Sequence, residues 1–479
     1  MIRVYLDWNI FGNLKRENDE PFKSILTIIR NNNNNKLLFP YSPAHLQDLQ
    51  RGFNKSEKAK LKTYADLNLL QEISKCHCLY IDNKEKDVTP QIFNPTEYFN
   101  QLVEDTTLET FDIDNPFKNV ENDAVSKLWS SYIDTMKGLP SGINLEQMNN
   151  IPDTFGKVKD IFQNLQNGNN FHNLLKDVFR FMKDPSIYSS IYKSIRKASV
   201  DNLKINTNSK EWGNAFDYLD KIIAKTKLNK TFRELIDENL KTKNKDKSFL
   251  RFDYFINYYI SLDTFGYYKD KEIPNLIGDA THAFYGAHCD IFVTEDNNTY
   301  YKTKAVYENF NISTAVCKAS EFQSVFYSLN DLSSNSPQTI SDRIVEIIRY
   351  SFILLQSIDD EFNPVAVYKI QYPVVDFFNR MQISYFKEET ALFFYKKKDN
   401  YSNFMFWTEI ENIVNKVVLD FGIDDNLKLE FNGEKEKMEI NDKKWDGRIW
   451  KRNQINFEII YNYDDFGLIL RVTLFDVKN

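Results

Sequence analysis

The stretch GDATHAFYGAHCDIFVTEDNN, residues 278–298, sets an acid at each end of a helix–strand pair. Residues 279–287 carry a helical pattern, with Asp279 opening it. Residues 291–294, Ile-Phe-Val-Thr, form a short run of the kind that fills a buried strand, and Glu295-Asp296 ends it. Outward from there, residues 302–310 read as a helix, 313–317 as a strand, and a further helix starts at Ser320. The chain's beginning has the same grammar. Residues 2–6 are a short apolar strand closed by Asp7-Trp8-Asn9. A helix opened by Pro21 spaces Phe22, Ile25, Leu26 and Ile29 at helical intervals. Residues 37–40 form a second strand, and Ser42-Pro43 is an N-cap followed by the residue that tolerates a first helical position. This alternation of strands and helices predicts a parallel sheet.

Neither fragment closes a sheet alone. We therefore expect residues 1–54 and 271–332 to join into one α/β domain, a Rossmannoid parallel sheet split by a large insertion. Residues 55–270, rich in Asn and Lys and poor in alternation, read as helical. Residues 333–341 are a Ser/Asn/Pro linker. Residues 342–479 mix helices (344–355, 409–419) with alternating strands (391–395, 455–461, 468–475), an α+β domain with an antiparallel sheet.

Composition narrows the function classes. With 479 residues and 42% hydrophobic side chains, 38 Phe and 27 Tyr among them, the chain has ample apolar material for several cores. A net charge of -7 rules out a uniformly basic nucleic-acid coat, so a polyanion needs a local basic patch or metal ions. Four Cys are too few for a disulfide scaffold at this size and fit a reducing, cytoplasmic setting. The first residues do not read as a signal peptide, and no run of apolar residues is long enough for an ordinary membrane span. Cys76-His77-Cys78 is too tightly spaced for an ordinary structural zinc site. Neither a glycine-rich phosphate loop nor a serine nucleophile elbow is present.

In a parallel sheet, groups at the carboxyl ends of strands meet at the ligand crevice. Asp7, Asp48, Asp279 and Asp296 all fall at such places. Clustered carboxylates repel one another unless a cation lies between them, and hard divalent ions such as Mg²⁺ or Mn²⁺ are the natural partners of oxygen donors. Two such ions would activate water for phosphodiester hydrolysis. Each acid also has a plainer reading: Asp7 and Asp296 as turn acids, Asp279 as a helix-start acid favoured by the macrodipole. Asp290, before the strand, reads as structural.

The motifs VYLDWNIF, PYSPAHLQDL and GDATHAFYGAHCDIFVTEDNN resemble the PIN-like nuclease family over residues 1–53 and 275–325. The resemblance implies that Asp7, Asp48, Asp279 and Asp296 are both the catalytic acids and the metal ligands. It gives supporting places to Asn9, Ser42 and Thr294, with Glu295 beside them. His45 and His282 share helix faces with Asp48 and Asp279, as supporting partners or contacts to a substrate phosphate. The implied activity is a metal-dependent endoribonuclease, acting on RNA or on single-stranded DNA and fitting a toxin or phage-defence system. The Lys-rich segment with Lys225, Lys227, Lys230, Arg233, Lys241, Lys243, Lys245 and Lys247 is the expected backbone contact, with Phe232, Phe249 and Phe252 available to stack on bases. Two rivals stand beside it. One is a Rossmann-like phosphatase with Asp7 as nucleophile, although Asn9 occupies the place of its acid. The other is a catalytically silent scaffold that binds a protein partner or signalling ligand, or forms a homo-oligomer, through its C-terminal domain.

Overall fold

The computed structural model describes residues 1–104 and 192–475 with short interruptions, the longest at 243–250, 331–338 and 359–364. It is a mixed α/β architecture with a four-stranded parallel sheet and a separate seven-stranded antiparallel sheet.

The parallel sheet has the order β2-β1-β5-β6, from β1 (Ile2–Leu6), β2 (Leu37–Leu38), β5 (Ile291–Val293) and β6 (Ala315–Cys317). Strands nearly three hundred residues apart in sequence therefore lie side by side, Val4 against Ile291 and Leu6 against Val293. Alternation along β1 divides the apolar side chains between two faces. Val4 and Leu6 face one core with Ile291, Val293 and helices Trp8–Leu14, Phe22–Arg30 and Ala319–Asn330. Tyr5 and Phe292 face the other, with helices Arg251–Thr264, Ile273–Gly286 and Asn297–Asn309.

The segment 55–270 is not wholly helical. Its described part contains an antiparallel hairpin, β3 (His77–Asp82) and β4 (Asp87–Ile92), and the Tyr41–Cys78 bridge ties β3 in parallel to the chain leaving β2. Pro90 inside β4 obscured that strand, because proline reads as a strand breaker. Nor does the core break at residue 54 or 271. Leu67, Leu70 and Cys78 pack with Val4 and Leu6, while Phe216, Phe252 and Phe255 pack with Tyr5 and Phe292. The added elements finish covering a sheet too narrow to bury itself.

The C-terminal sheet has the order β11 (Arg448–Arg452), β12 (Ile455–Asn462), β13 (Gly467–Phe475), β10 (Glu389–Tyr395), β9 (Phe378–Tyr385), β8 (Val365–Val374), β7 (Phe352–Ile358) and carries helices Ile340–Tyr350, Trp407–Phe421 and Gly433–Asn441. The first of these helices stops at Tyr350, and Phe352–Ile358 is strand β7, not the helix end expected there. This unit meets the amino edge of the parallel sheet. Arg3 on β1, 3% exposed, donates from Nε to Glu409 at 3.0 Å and lies over the Phe404 ring at 4.8 Å. The opposite, carboxyl edge is left for the acids. Among the described residues no helix is long and apolar enough to cross a membrane.

Candidate active site at the carboxyl edge

Asp7 follows the last residue of β1 and is the N-cap of helix Trp8–Leu14. Its Oδ1 accepts from the Trp8 amide at 2.6 Å, and its Oδ2 accepts from the Thr294 hydroxyl at 2.6 Å. Thr294 thus links the ends of two neighbouring strands through the acid. Asp296 caps helix Asn297–Asn309, with Oδ1 accepting from the Thr299 amide at 2.8 Å. Capping fixes these two side chains without exhausting them, since an ionised carboxylate offers about four acceptor sites. Asp279 lies in the second turn of helix Ile273–Gly286. That helix starts six residues earlier than the sequence suggested, so Asp279 is not a helix-start acid. Asp48 comes from helix Pro43–Phe53.

His282, 1% exposed, joins two of these acids. Its Nε2 is 2.9 Å from Asp48 Oδ2 and 4.0 Å from Asp7 Oδ1, and its Nδ1 is 2.9 Å from the Tyr5 hydroxyl. The Tyr5 hydroxyl in turn lies 2.6 Å from Ser42 Oγ. Burial lowers the His282 pKa, but the Asp48 hydrogen bond and the Asp7 charge outweigh it and raise it above the usual value. His45 does a different job. The Ser42 amide donates to its Nδ1 at 3.1 Å in a capping box, and its Nε2 donates to Leu6 O at 2.8 Å. Burial drives its pKa down to about 3, so it is a neutral strut under the end of β1, out of reach of a substrate phosphate.

The acids sense one another. Burial, together with Asp7, Asp270 and Asp296, pushes the Asp279 carboxyl well above the ordinary range. Burial raises Asp7 too, with Asp48 adding to it against His282 and Thr294. Asp48 is the exception. Burial raises its pKa, but the His282 hydrogen bond and the Arg51 guanidinium at 3.1 Å overcome that and bring it below normal. Oxygens of Asp270, Asp279 and Asp296 lie within 4.8 Å of one another, and burial falls from Asp270 to Asp296, so the group opens to solvent on that side. An all-carboxylate donor set fits a hard divalent cation, Mg²⁺ or Mn²⁺. Asp270, Asp279 and Asp296 are the acids close enough together to share it, with the Asp7 carboxylate near Asp279.

Several residues at this site escaped the sequence reading. Asp270 is one, and Lys302, 0% exposed, is another; its ammonium is hydrogen-bonded to Asp270 and lies 3.3 Å from Asp263 Oδ2. Lys318, at the rim, donates to Glu295 O at 2.8 Å and lies 5.0 Å from the centre of the Tyr300 ring. Glu295 itself accepts from the Ala319 amide at 2.7 Å and donates its own amide to Asn9 Oδ1 at 3.3 Å, so Asn9 and Glu295 brace the loop. Asp290 has the structural role expected of it, accepting from the Arg3 amide at 2.8 Å. His77 has both ring nitrogens engaged, by Ser74 O and Thr408 Oγ1.

Of the described residues of the basic segment, two are already paired. Arg233 pairs with Asp217 and Asp220 and donates to Asn309, while Lys230 pairs with Glu238. Lys225 is exposed. Lys227, Lys243, Lys245 and Lys247, and the side chain of Lys241, lie outside the described residues.

Set against protein-family models, curated proteins and solved structures, the chain matches none of them.

Proposed function

We propose that this protein is a metal-dependent nuclease of the PIN-like kind, hydrolysing phosphodiester bonds in RNA. What supports this reading above all is the arrival of Asp7, Asp48, Asp279 and Asp296 at one edge of a parallel sheet from four separate elements, with Asp7 and Asp48 sharing His282. A bound Mg²⁺ or Mn²⁺ supplies a water of lowered pKa and stabilises charge on the phosphoryl oxygens. The chain's own residues do the rest. Asp279 and Asp296 would hold the ion with Asp7 nearby, and Thr294 holds Asp7 in its rotamer. His282 keeps Asp48 ionised beside them. Lys318 and Arg51 present cations at the rim, where a polyanion's neighbouring phosphates would lie. The preference for RNA and a role in defence come from the family resemblance alone.

The geometry disfavours the phosphatase reading. Both Asp7 oxygens accept hydrogen bonds, and Asn9, where that chemistry needs an acid, is spent on the Glu295 amide. The test is cleavage of single-stranded RNA and DNA with Mg²⁺ or Mn²⁺ by wild type, Asp7→Asn and Asp279→Asn. We expect Mn²⁺-dependent RNA cleavage in wild type and a loss of at least about a hundredfold in each variant. Undiminished cleavage in both variants would remove the site.

A further inference from the structure

We propose that the ammonium of Lys302 fills the place of a second metal ion, so that the site takes one divalent cation, held by Asp279 and Asp296 with Asp7 nearby. This rests on the metal-dependent reading above and gives it a stoichiometry, against the two ions expected from the acids alone.

The argument is a count of which carboxylates are already matched. Lys302 is fully buried on helix Asn297–Asn309 and lies 5.1 Å from the centre of the Tyr259 ring, with Thr299 and Thr303, also fully buried, on the same helix face. It has no route by which to swing into water. Its partners are fixed as firmly. Asp263 Oδ1 accepts from the Tyr192 hydroxyl at 2.6 Å and from Arg196 Nη1 at 2.7 Å, and its Oδ2 accepts from the Asp270 amide at 2.6 Å. Arg196 Nη1 also donates to Asp270 O at 2.9 Å. The Asp270 carboxylate is held by Lys302 on Oδ2 and by Asn298 at 3.0 Å on Oδ1. Two carboxylates and two cations therefore balance within one closed network.

Asp270 belongs to the group of three acids whose oxygens lie within 4.8 Å of one another, yet its charge is already matched. Asp48 is matched as well, by Arg51 at 3.1 Å and His282 at 2.9 Å. Asp7, Asp279 and Asp296 remain, and one divalent ion comes close to neutralising them. A second ion would meet a fixed ammonium with no unmatched carboxylate to offset the repulsion. Lys302 thus does permanently what a second cation would do on loading: it sets a fixed positive charge against the Asp270 carboxylate beside Asp279.

The experiment counts Mn²⁺ on the metal-stripped full-length chain, by calorimetric titration and by the electron paramagnetic resonance signal of free Mn²⁺. Wild type should bind one ion, and Asp279→Asn should bind none measurably. Asp270→Asn should still bind one, weakened by no more than about tenfold, the scale for groups behind the direct ligands. Lys302→Gln, which leaves Asp270 without its ammonium partner while Arg196 still pairs with Asp263, should bind two. If that variant does not fold, the wild-type count and the Asp270→Asn comparison decide alone. Two ions in wild type, a loss in Asp270→Asn as complete as in Asp279→Asn, or a folded Lys302→Gln that still binds one would each overturn the proposal while leaving a metal-dependent nuclease standing. Wild type that binds no Mn²⁺ would overturn both.

Discussion

Asp279 is an acid whose surroundings resist its ionisation, and that resistance has a measurable sign. Its pKa in the folded chain is raised by burial and by Asp7, Asp270 and Asp296, and that of Asp7 is raised by burial and Asp48. Each therefore stabilises the metal-free fold fully below the ordinary value of 3.8 and loses that contribution as pH rises through the raised value. His282, raised above 6.5, acts in the same direction higher on the scale. Asp48, lowered, opposes them only as pH falls below 3.8. Because the buried N-terminal amine, His45, His77 and His288 have lowered pKa values and act the opposite way, the site's share is read as a difference: the Tm of the metal-free wild type relative to Asp279→Asn should fall as pH is raised, and saturating Mg²⁺ should flatten that difference by favouring the ionised carboxylates. Calorimetry with and without Mg²⁺ checks this; parallel slopes would contradict it. Asp7 and Asp296 were legible because each ends a short apolar strand. Asp270 and Lys302 were not, since YYKDKE and YKTK look like solvated charge. The faint signal was spacing: Thr299, Lys302, Thr303 and Val306 fall at i, i+3, i+4 and i+7, a buried stripe in which lysine is out of place.

Helix Ile273–Gly286 delivers Asp279 and His282, and its depth against the sheet is set by its last residue. A Cβ built on Gly286 would come within 2.7 Å of Phe292 Cδ2 and 3.0 Å of the Tyr307 hydroxyl. Phe292 is fully buried in the middle of β5 and Tyr307 donates to Ala283 O at 2.6 Å, so neither gives way cheaply. Gly286→Ala should destabilise the fold by about 1–3 kcal/mol, the usual cost of overpacking, read as a lower midpoint in urea. An unchanged midpoint would mean the helix can lift off β5 freely. The parallel strands were readable at this scale because both faces of the sheet are covered and each strand is a plain apolar run. The hairpin of β3 and β4 was not, because its residues alternate weakly and include Pro90. The boundary between helix Ile340–Tyr350 and β7 was lost for a related reason: FILL continues the helix's apolar pattern unbroken.

For the whole molecule, the parallel sheet is engaged at both ends, by the acids at its carboxyl edge and by the C-terminal unit at its amino edge. The second contact turns on Arg3. Its guanidinium bonds to both Glu409 oxygens and donates to Phe404 O at 2.9 Å, close to the Phe404 and Phe406 rings. Glu409 also accepts from the Phe406 amide at 2.9 Å, closing the first turn of helix Trp407–Phe421, so one carboxylate both starts that helix and docks it. No local pattern announces a pair 406 residues apart, and Arg3 reads in sequence as an ordinary strand charge. Removing the acid would leave a guanidinium 3% exposed without its counter-charge. Such breakage of a buried pair costs about 3–5 kcal/mol. Glu409→Ala should therefore lower stability by that much, while Arg3→Met with Glu409→Leu, which removes both charges and keeps apolar volume, should recover most of the loss. The measurement is a double-mutant cycle by denaturant unfolding, with Mn²⁺ affinity followed alongside. Because the pair lies at the opposite edge from Asp7 and Asp279, affinity should stay within about twofold in every folded variant. A drop in affinity that tracks the loss of stability would show instead that the C-terminal unit helps set the geometry of the acids.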